Sequence, residues 1–366
     1  MIRVFEPNIT FNDKLSVMKT LIKNNISGTS PVVKDFESKI AEKFNRRYGI
    51  AVSNGSVALD VALRLINLEK DDEVILPSFT IISCLSAVLR TGAKPVFCDV
   101  NKDTWNMTLE DVKRSVTKKT KAVLLVHTYG LPADAKNILK FCDENNLTLL
   151  EDAAEAHGQK IEDLKCGSIG LISTMSFYAN KHITTGEGGM VLTNDEEIYN
   201  RAKRMTNLDF YGENRFNHEN LYWNYRQSSL QASLGLSQIN SLDKTIKSKR
   251  VQGNIYHSFL ADYENLFQLP LDKYNNEENH YWVYGVVLKK EGIRDNVIKN
   301  MLKQGIETRP FFWPLNLQDA LPQKFKSNFS LPISERIGKN GLYLPLGKHL
   351  NKNKQKFIVK TLINSL

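Results

Sequence analysis

Four cysteines are all the 366-residue chain has, and Cys84, Cys98, Cys142 and Cys166 form no CxxC pair and sit at no metal-ligand spacing from a histidine. Isolated thiols of this kind predict neither a disulfide framework nor a zinc site; no metal is expected. No run of about 18 apolar residues is present, so no membrane-spanning helix is expected. The opening MIRVFEPNITFNDK lacks the apolar core and small-residue cleavage site of a secretory signal, and a cytoplasmic protein is the expectation. Also missing are a Walker loop and a GxGxxG turn, which disfavours a nicotinamide-binding Rossmann protein. The formal charge is +9, yet the basic residues are scattered, with only small clusters such as KKTK and KSKR. Without a basic stripe interleaved with aromatics, nucleic acid is not an expected partner, whereas an anionic small molecule is compatible.

What is present is ordinary globular composition, 42% hydrophobic and 24% charged. The length exceeds what one core usually fills, so two domains are expected: 1–245, large and α/β, and 246–366, smaller and α+β. From about residue 50, short β-rich runs (DEVILP, KPVFCDV, KAVLLVH, LTLLEDA) alternate with helical ones (IISCLSAVLRTG, TLEDVKRSV, DAKNILKFCDENN). Repeated βα implies a mostly parallel sheet covered on both faces. STMSFYA and GGMVLTN add two strands, and YWVYGVVL with the helix RDNVIKNMLKQG builds the second domain. Ligands of such sheets sit at the carboxyl ends of the strands, which directs attention to the polar residues there.

Three features there are complementary. SNGSVALDVALRLI starts a helix at Gly55, Ser56 and Val57, whose free N–H groups and dipole suit a phosphate, although the same letters also make a plain N-cap. LTLLEDAAEAHG delivers Asp152 at a strand end, with alanines leaving room for a flat ring. SFYANKHITTGEGGM places Lys181 among glycines with Ser176 five residues upstream; a desolvated lysine loses proton affinity and becomes a nucleophile. An amine, an anion cradle and a carboxylate for a pyridinium nitrogen are together what pyridoxal phosphate requires.

These segments, with NNISGTSPVVKDFE, AKPVFCDVNKDTWNM, VHTYGLPADA and NYRQSSLQASLGLSQI, resemble the DegT/DnrJ/EryC1/StrS family of sugar aminotransferases through nearly all of the first 240 residues. The resemblance implies the aspartate aminotransferase (type I) fold and pyridoxal 5'-phosphate as cofactor. It implies Lys181 as the Schiff-base lysine, Asp152 as the pyridine-nitrogen partner, and Ser176 with the Gly55, Ser56 and Val57 backbone as the phosphate site. Asn224 would reach the phosphate of a second subunit, giving a homodimer with shared sites. GIETRPFFWPLNLQ and LPISERIGKNGLYLP are similar to the GDP-perosamine synthases of that family, which implies glutamate as donor and C4 of a GDP-linked 4-keto-6-deoxymannose as acceptor. His182, Arg226 and Arg309 are the substrate-side candidates, on charge and position. Two letters depart from the relatives: Ile81 stands where an aromatic commonly stacks on the cofactor, and Asn316 where perosamine synthases tend to have histidine. A dTDP- or UDP-linked sugar is therefore the alternative substrate. A 3-dehydratase is disfavoured because Lys181 is not replaced by histidine. A non-catalytic regulatory protein is disfavoured because every cofactor group is intact.

Overall fold

The computed structural model describes residues 1–211, 216–326 and 330–366. Nine strands precede residue 195: β1 Tyr48–Val52, β2 Glu73–Pro77, β3 Lys94–Cys98, β4 Thr120–Val126, β5 Thr148–Asp152, the hairpin β6 Lys160–Ile161 and β7 Leu164–Lys165, β8 Ile172–Ser176 and β9 Gly189–Thr193. Seven of them form one sheet in the order β1-β9-β8-β5-β4-β2-β3. Only β9 runs antiparallel, to both β1 and β8; the pairings among β2, β3, β4, β5 and β8 are parallel.

Residues inside the strands alternate between two cores, as the two-residue side-chain period requires. Val74, Leu76, Leu124 and Leu150 pack on one face with the helix Gly55–Leu65. Ile75, Val123, Leu125 and Leu149 pack on the other with Ile138 and Cys142 of the helix Ala135–Glu144. Both faces are thus covered, which is why these strands read as continuous apolar runs.

A second, four-stranded antiparallel sheet has the order β10 (Phe267–Gln268), β13 (Tyr284–Leu288), β15 (Gly341–Leu344), β14 (Arg309–Pro310), beside the hairpin β11 (Lys273–Tyr274) and β12 (Glu277–Glu278). Its core joins Tyr284, Val286 and Leu342 to Ile358 and Leu362 of the last helix. The chain thus has the α/β architecture expected from the sequence: a large mostly parallel sheet and a smaller α+β unit. Two details differ from a simple cut at 245. That position lies inside the continuous helix Leu242–Leu260. The first residues join the smaller unit, with Ile2 N–H donating to Gly305 O at 2.7 Å and Leu346 N–H to Val4 O at 3.0 Å. Among the described residues, no helix is long and apolar enough to cross a membrane.

Candidate active site

The carboxyl ends of β1, β2, β4, β5 and β8 open on one cavity of about 490 Å3, and Asn54, Thr80, Val126, Asp152 and Ser176 line it. The helix Gly55–Leu65 points its N-terminus there. Asn54 is its N-cap, and the side chain accepts the Val57 N–H at 2.9 Å. Val57 is therefore satisfied internally, whereas the N–H groups of Gly55 and Ser56 have no partner among the described residues. Helix starts of this kind carry partial positive charge and hold anions. A Cβ on Gly55 would lie 2.7 Å from Ser176 Cβ, and one on Gly189 would lie 2.4 Å from the Asn54 carbonyl oxygen. Only glycine lets the helix start and the ends of β8 and β9 approach this closely.

Adjacent carboxylates at the end of β5 have separate duties because successive side chains point to opposite faces. Glu151 turns away from the cavity into a fully buried network. It accepts from His127 Nε2 at 3.0 Å, Gly167 N at 2.7 Å, Ile169 N at 2.8 Å and Ser173 Oγ at 2.6 Å. These bonds hold its carboxyl below the usual range despite burial, and with Arg46 they tie the β7–β8 connection to the sheet. His127, Glu151 and Cys166 have donor atoms within 4.8 Å of one another, but both Glu151 oxygens are already engaged by protein donors. Asp152 faces the cavity. Its Oδ1 accepts the Ala154 N–H at 3.0 Å, and its Oδ2 has the Cys84 thiol at 3.5 Å. Burial raises its proton affinity; the Ala154 N–H and the Lys181 charge oppose that rise.

Lys181 lies in the turn between β8 and β9, its N–H donating to Tyr178 O at 2.9 Å. The side chain is 8% exposed, with Nζ 3.5 Å from Glu155 Oε1 and 3.8 Å from the centroid of the Trp282 ring. Burial lowers its proton affinity, and Glu155 and Asp152 oppose that fall. Glu155, whose other oxygen accepts the Tyr129 N–H at 3.0 Å, is pushed up to about 7 by burial, against the pull of Lys181. Both groups are thereby moved toward their neutral forms, the state in which an amine is nucleophilic.

Gly55, Ser56, Asp152, Ser176 and Lys181 are thus brought to one cavity, with Ile81 at its rim. The other expected residues lie elsewhere. His182 is buried, its Nε2 3.0 Å from the His280 carbonyl oxygen, and it lines a separate void of about 40 Å3 behind Lys181. Asn224 is exposed and accepts from Arg226 Nε at 2.8 Å, outside the cavity lining. Arg309 pairs at 2.6 Å with Glu307 on the small-unit surface. Asn316 bridges Ser78 Oγ at 2.6 Å and Glu335 Oε1 at 3.2 Å, a structural tie between the two units. Sequence reasoning missed Glu155 and Trp282. Glu155 sits three residues after Asp152, a readable spacing; Trp282 had no such signal.

The model of the DegT/DnrJ/EryC1/StrS aminotransferase family matches residues 8–363. The chain belongs to this family. It is similar to a GDP-perosamine synthase of Escherichia coli O157:H7, 34% identical over 99% of this chain and 97% of that protein. It is also similar to a dTDP-4-dehydro-2,3,6-trideoxy-D-glucose 4-aminotransferase of Saccharopolyspora spinosa, 31% identical over 96% and 93%. Among solved structures, the aminotransferase TlmJ from Streptoalloteichus hindustanus superposes with a TM-score of 0.92 at 26% identity, covering 100% of this chain and 98% of that one. The protein is a pyridoxal-phosphate-dependent sugar aminotransferase. The cavity fits that cofactor: unpartnered helix N–H groups for a phosphate, a buried carboxylate for a ring nitrogen, and a desolvated amine for an aldehyde.

Proposed function

We propose that this aminotransferase moves the amino group of glutamate to C4 of a nucleotide-linked 4-keto-6-deoxy sugar, with GDP-4-keto-6-deoxymannose as the acceptor. The observation that carries this reading is the end-to-end likeness to a protein named GDP-perosamine synthase. In the proposal Lys181 bonds the cofactor covalently, Asp152 pairs with its ring nitrogen, and Gly55, Ser56 and Ser176 hold its phosphate. Bound there, pyridoxal phosphate supplies an electron sink for the carbon that loses its proton. Lys181 Nζ, depressed by burial, takes a proton from one side of the reaction and returns it on the other. Asp152, kept in place by the Ala154 N–H, holds its negative charge toward the ring nitrogen. Lys181 and Asp152 are themselves buried, so their charges act at a lower local dielectric than in water.

We infer that a second subunit completes the phosphate site. Lys181 is the single cationic side chain lining the cavity among the described residues, and Asn224 is exposed on the protein's own surface. Phe11, Leu15, Met18 and Ile22 repeat at helical spacing on an exposed face of the helix Phe11–Ile22. A cytoplasmic homodimer with Asn224 reaching the partner's phosphate site accounts for both features. A dTDP-linked acceptor is the second reading, favoured by the 31% identity to the Saccharopolyspora enzyme. Competition between GDP- and dTDP-linked 4-keto sugars, compared by kcat/KM, separates the two, since that ratio reports transition-state discrimination. A preference for the dTDP sugar would overturn the GDP assignment and leave the aminotransferase intact.

A further inference from the structure

Trp282 enters the cavity from the smaller unit, just before β13, and lies against Lys181. Its ring centroid lies 3.8 Å from Lys181 Nζ. Its Nε1 donates to Oδ1 of Asn180, the residue before Lys181, at 3.3 Å. Its carbonyl accepts from Lys249 Nζ at 2.8 Å. The ring is stacked on Phe312 at 6.2 Å and 21° and leans on Tyr129 at 5.7 Å. The indole plane is therefore fixed by neighbours that do not depend on Lys181.

We infer that Trp282 is a positioning residue for Lys181: when that amine is not covalently engaged and carries a proton, the ring face holds it at the cavity wall. This rests on the reading of Lys181 as the cofactor lysine. The physical reason is that an aromatic face attracts a cation and is indifferent to a neutral amine, most strongly where water is excluded. Lys181 then has two anchors of different kind. Glu155, itself pushed up to about 7, holds the amine by charge only when ionised. The indole holds it at any pH at which the ammonium exists. In the half of the cycle when Lys181 is released, the amine stays beside Trp282 at the cavity wall and does not swing away, so the proton it carries remains in reach of the reacting carbon. Trp282 also links this event to the smaller unit, because its backbone carbonyl is tied to Lys249 in the helix Leu242–Leu260.

The test compares Trp282→Phe and Trp282→Leu with the unaltered full-length chain after removal of cofactor. Lys181 is titrated by reductive 13C-methylation and its chemical shift followed from pH 5 to 11. Loss of the ring face should lower the proton-binding constant of Lys181 about 5- to 30-fold in the Leu variant. The Phe variant should keep part of the effect, because it keeps a smaller face. Unchanged circular dichroism in both variants shows that folding is preserved. A Leu variant whose Lys181 titrates as in the unaltered chain overturns the inference, and so does a Phe variant no closer to the unaltered chain than Leu. Borohydride reduction of the cofactor-loaded unaltered protein, read by peptide mass, tests the cofactor-lysine reading separately. Trapping there with a null titration result sinks only the Trp282 role.

Discussion

Lys249 gives the most quantitative consequence of how the site is built. Lys249 is partly buried, its amine lies behind Lys181 at the same small void, and among the described residues its one hydrogen-bond partner is the Trp282 carbonyl oxygen. No carboxylate pairs with it among the described residues. Burial, aided by the charge of Lys181, lowers it from 10.5 to about 7. Lowering the proton affinity of this amine to that value, against 10.5 in the unfolded chain, costs the fold roughly 4 to 5 kcal/mol at pH 7. Lys249→Met keeps an unbranched apolar stem and removes that cost, but leaves the Trp282 carbonyl without a donor, a loss of about 1 to 3 kcal/mol. The variant should therefore be more stable than the parent at pH 7, by roughly 2 kcal/mol. The sign of the pH dependence follows from proton binding. Between about 7 and 10.5 the unfolded chain holds more protons on this residue than the folded one, so parental stability rises with pH there. By pH 10 the advantage of the variant should have shrunk by about 3 kcal/mol and changed sign. Urea unfolding of both proteins at pH 7, 8.5 and 10 measures this. A difference that does not change with pH, or a variant less stable at pH 7, refutes the reasoning.

Three other outcomes are expected. Gly55→Ala drives a methyl group toward Ser176 Cβ, so the helix start must retreat; equilibrium dialysis should show pyridoxal phosphate affinity weakened at least about 10-fold, with the far-ultraviolet dichroism unchanged. Glu151→Leu leaves His127, two backbone N–H groups and Ser173 without their acceptor, and the midpoint of thermal unfolding should fall by an amount matching about 3 to 5 kcal/mol. Mixed dimers of inactive Lys181→Ala and Asn224→Ala chains should recover part of the activity through one complete site; no recovery, with mixing verified by mass, contradicts the shared site.

The fold was legible where local pattern and burial agree. The runs DEVILP, KAVLLVH and LTLLEDA fall on β2, β4 and β5, because strands covered on both faces must be apolar throughout. RDNVIKNMLKQG covers the helix Arg294–Lys303 and overshoots its end by two residues. What was not legible depends on distant contacts. The strand β1 and the antiparallel course of β9 depend on their mutual pairing across more than 130 residues. Residues 2–4 belong with the smaller unit only because Gly305, Glu307 and Leu346 lie beside them. In the site, Lys181, Asp152, Ser176 and the helix start at Gly55 were readable because each is a chemical type at a strand end. Trp282 and Lys249 come from the other unit, and an aromatic or a lysine among many carries no mark of its position. Arg309 and Arg226 were chosen on charge alone, and in this chain each has a partner away from the cavity lining.

Borohydride reduction of the purified protein, followed by peptide mass mapping, tests the central claim most directly. The account predicts a single stable phosphopyridoxyl adduct, on Lys181, and no adduct in Lys181→Ala. An adduct on Lys249 or any other lysine, or a Lys181→Ala protein that is still trapped, would contradict it.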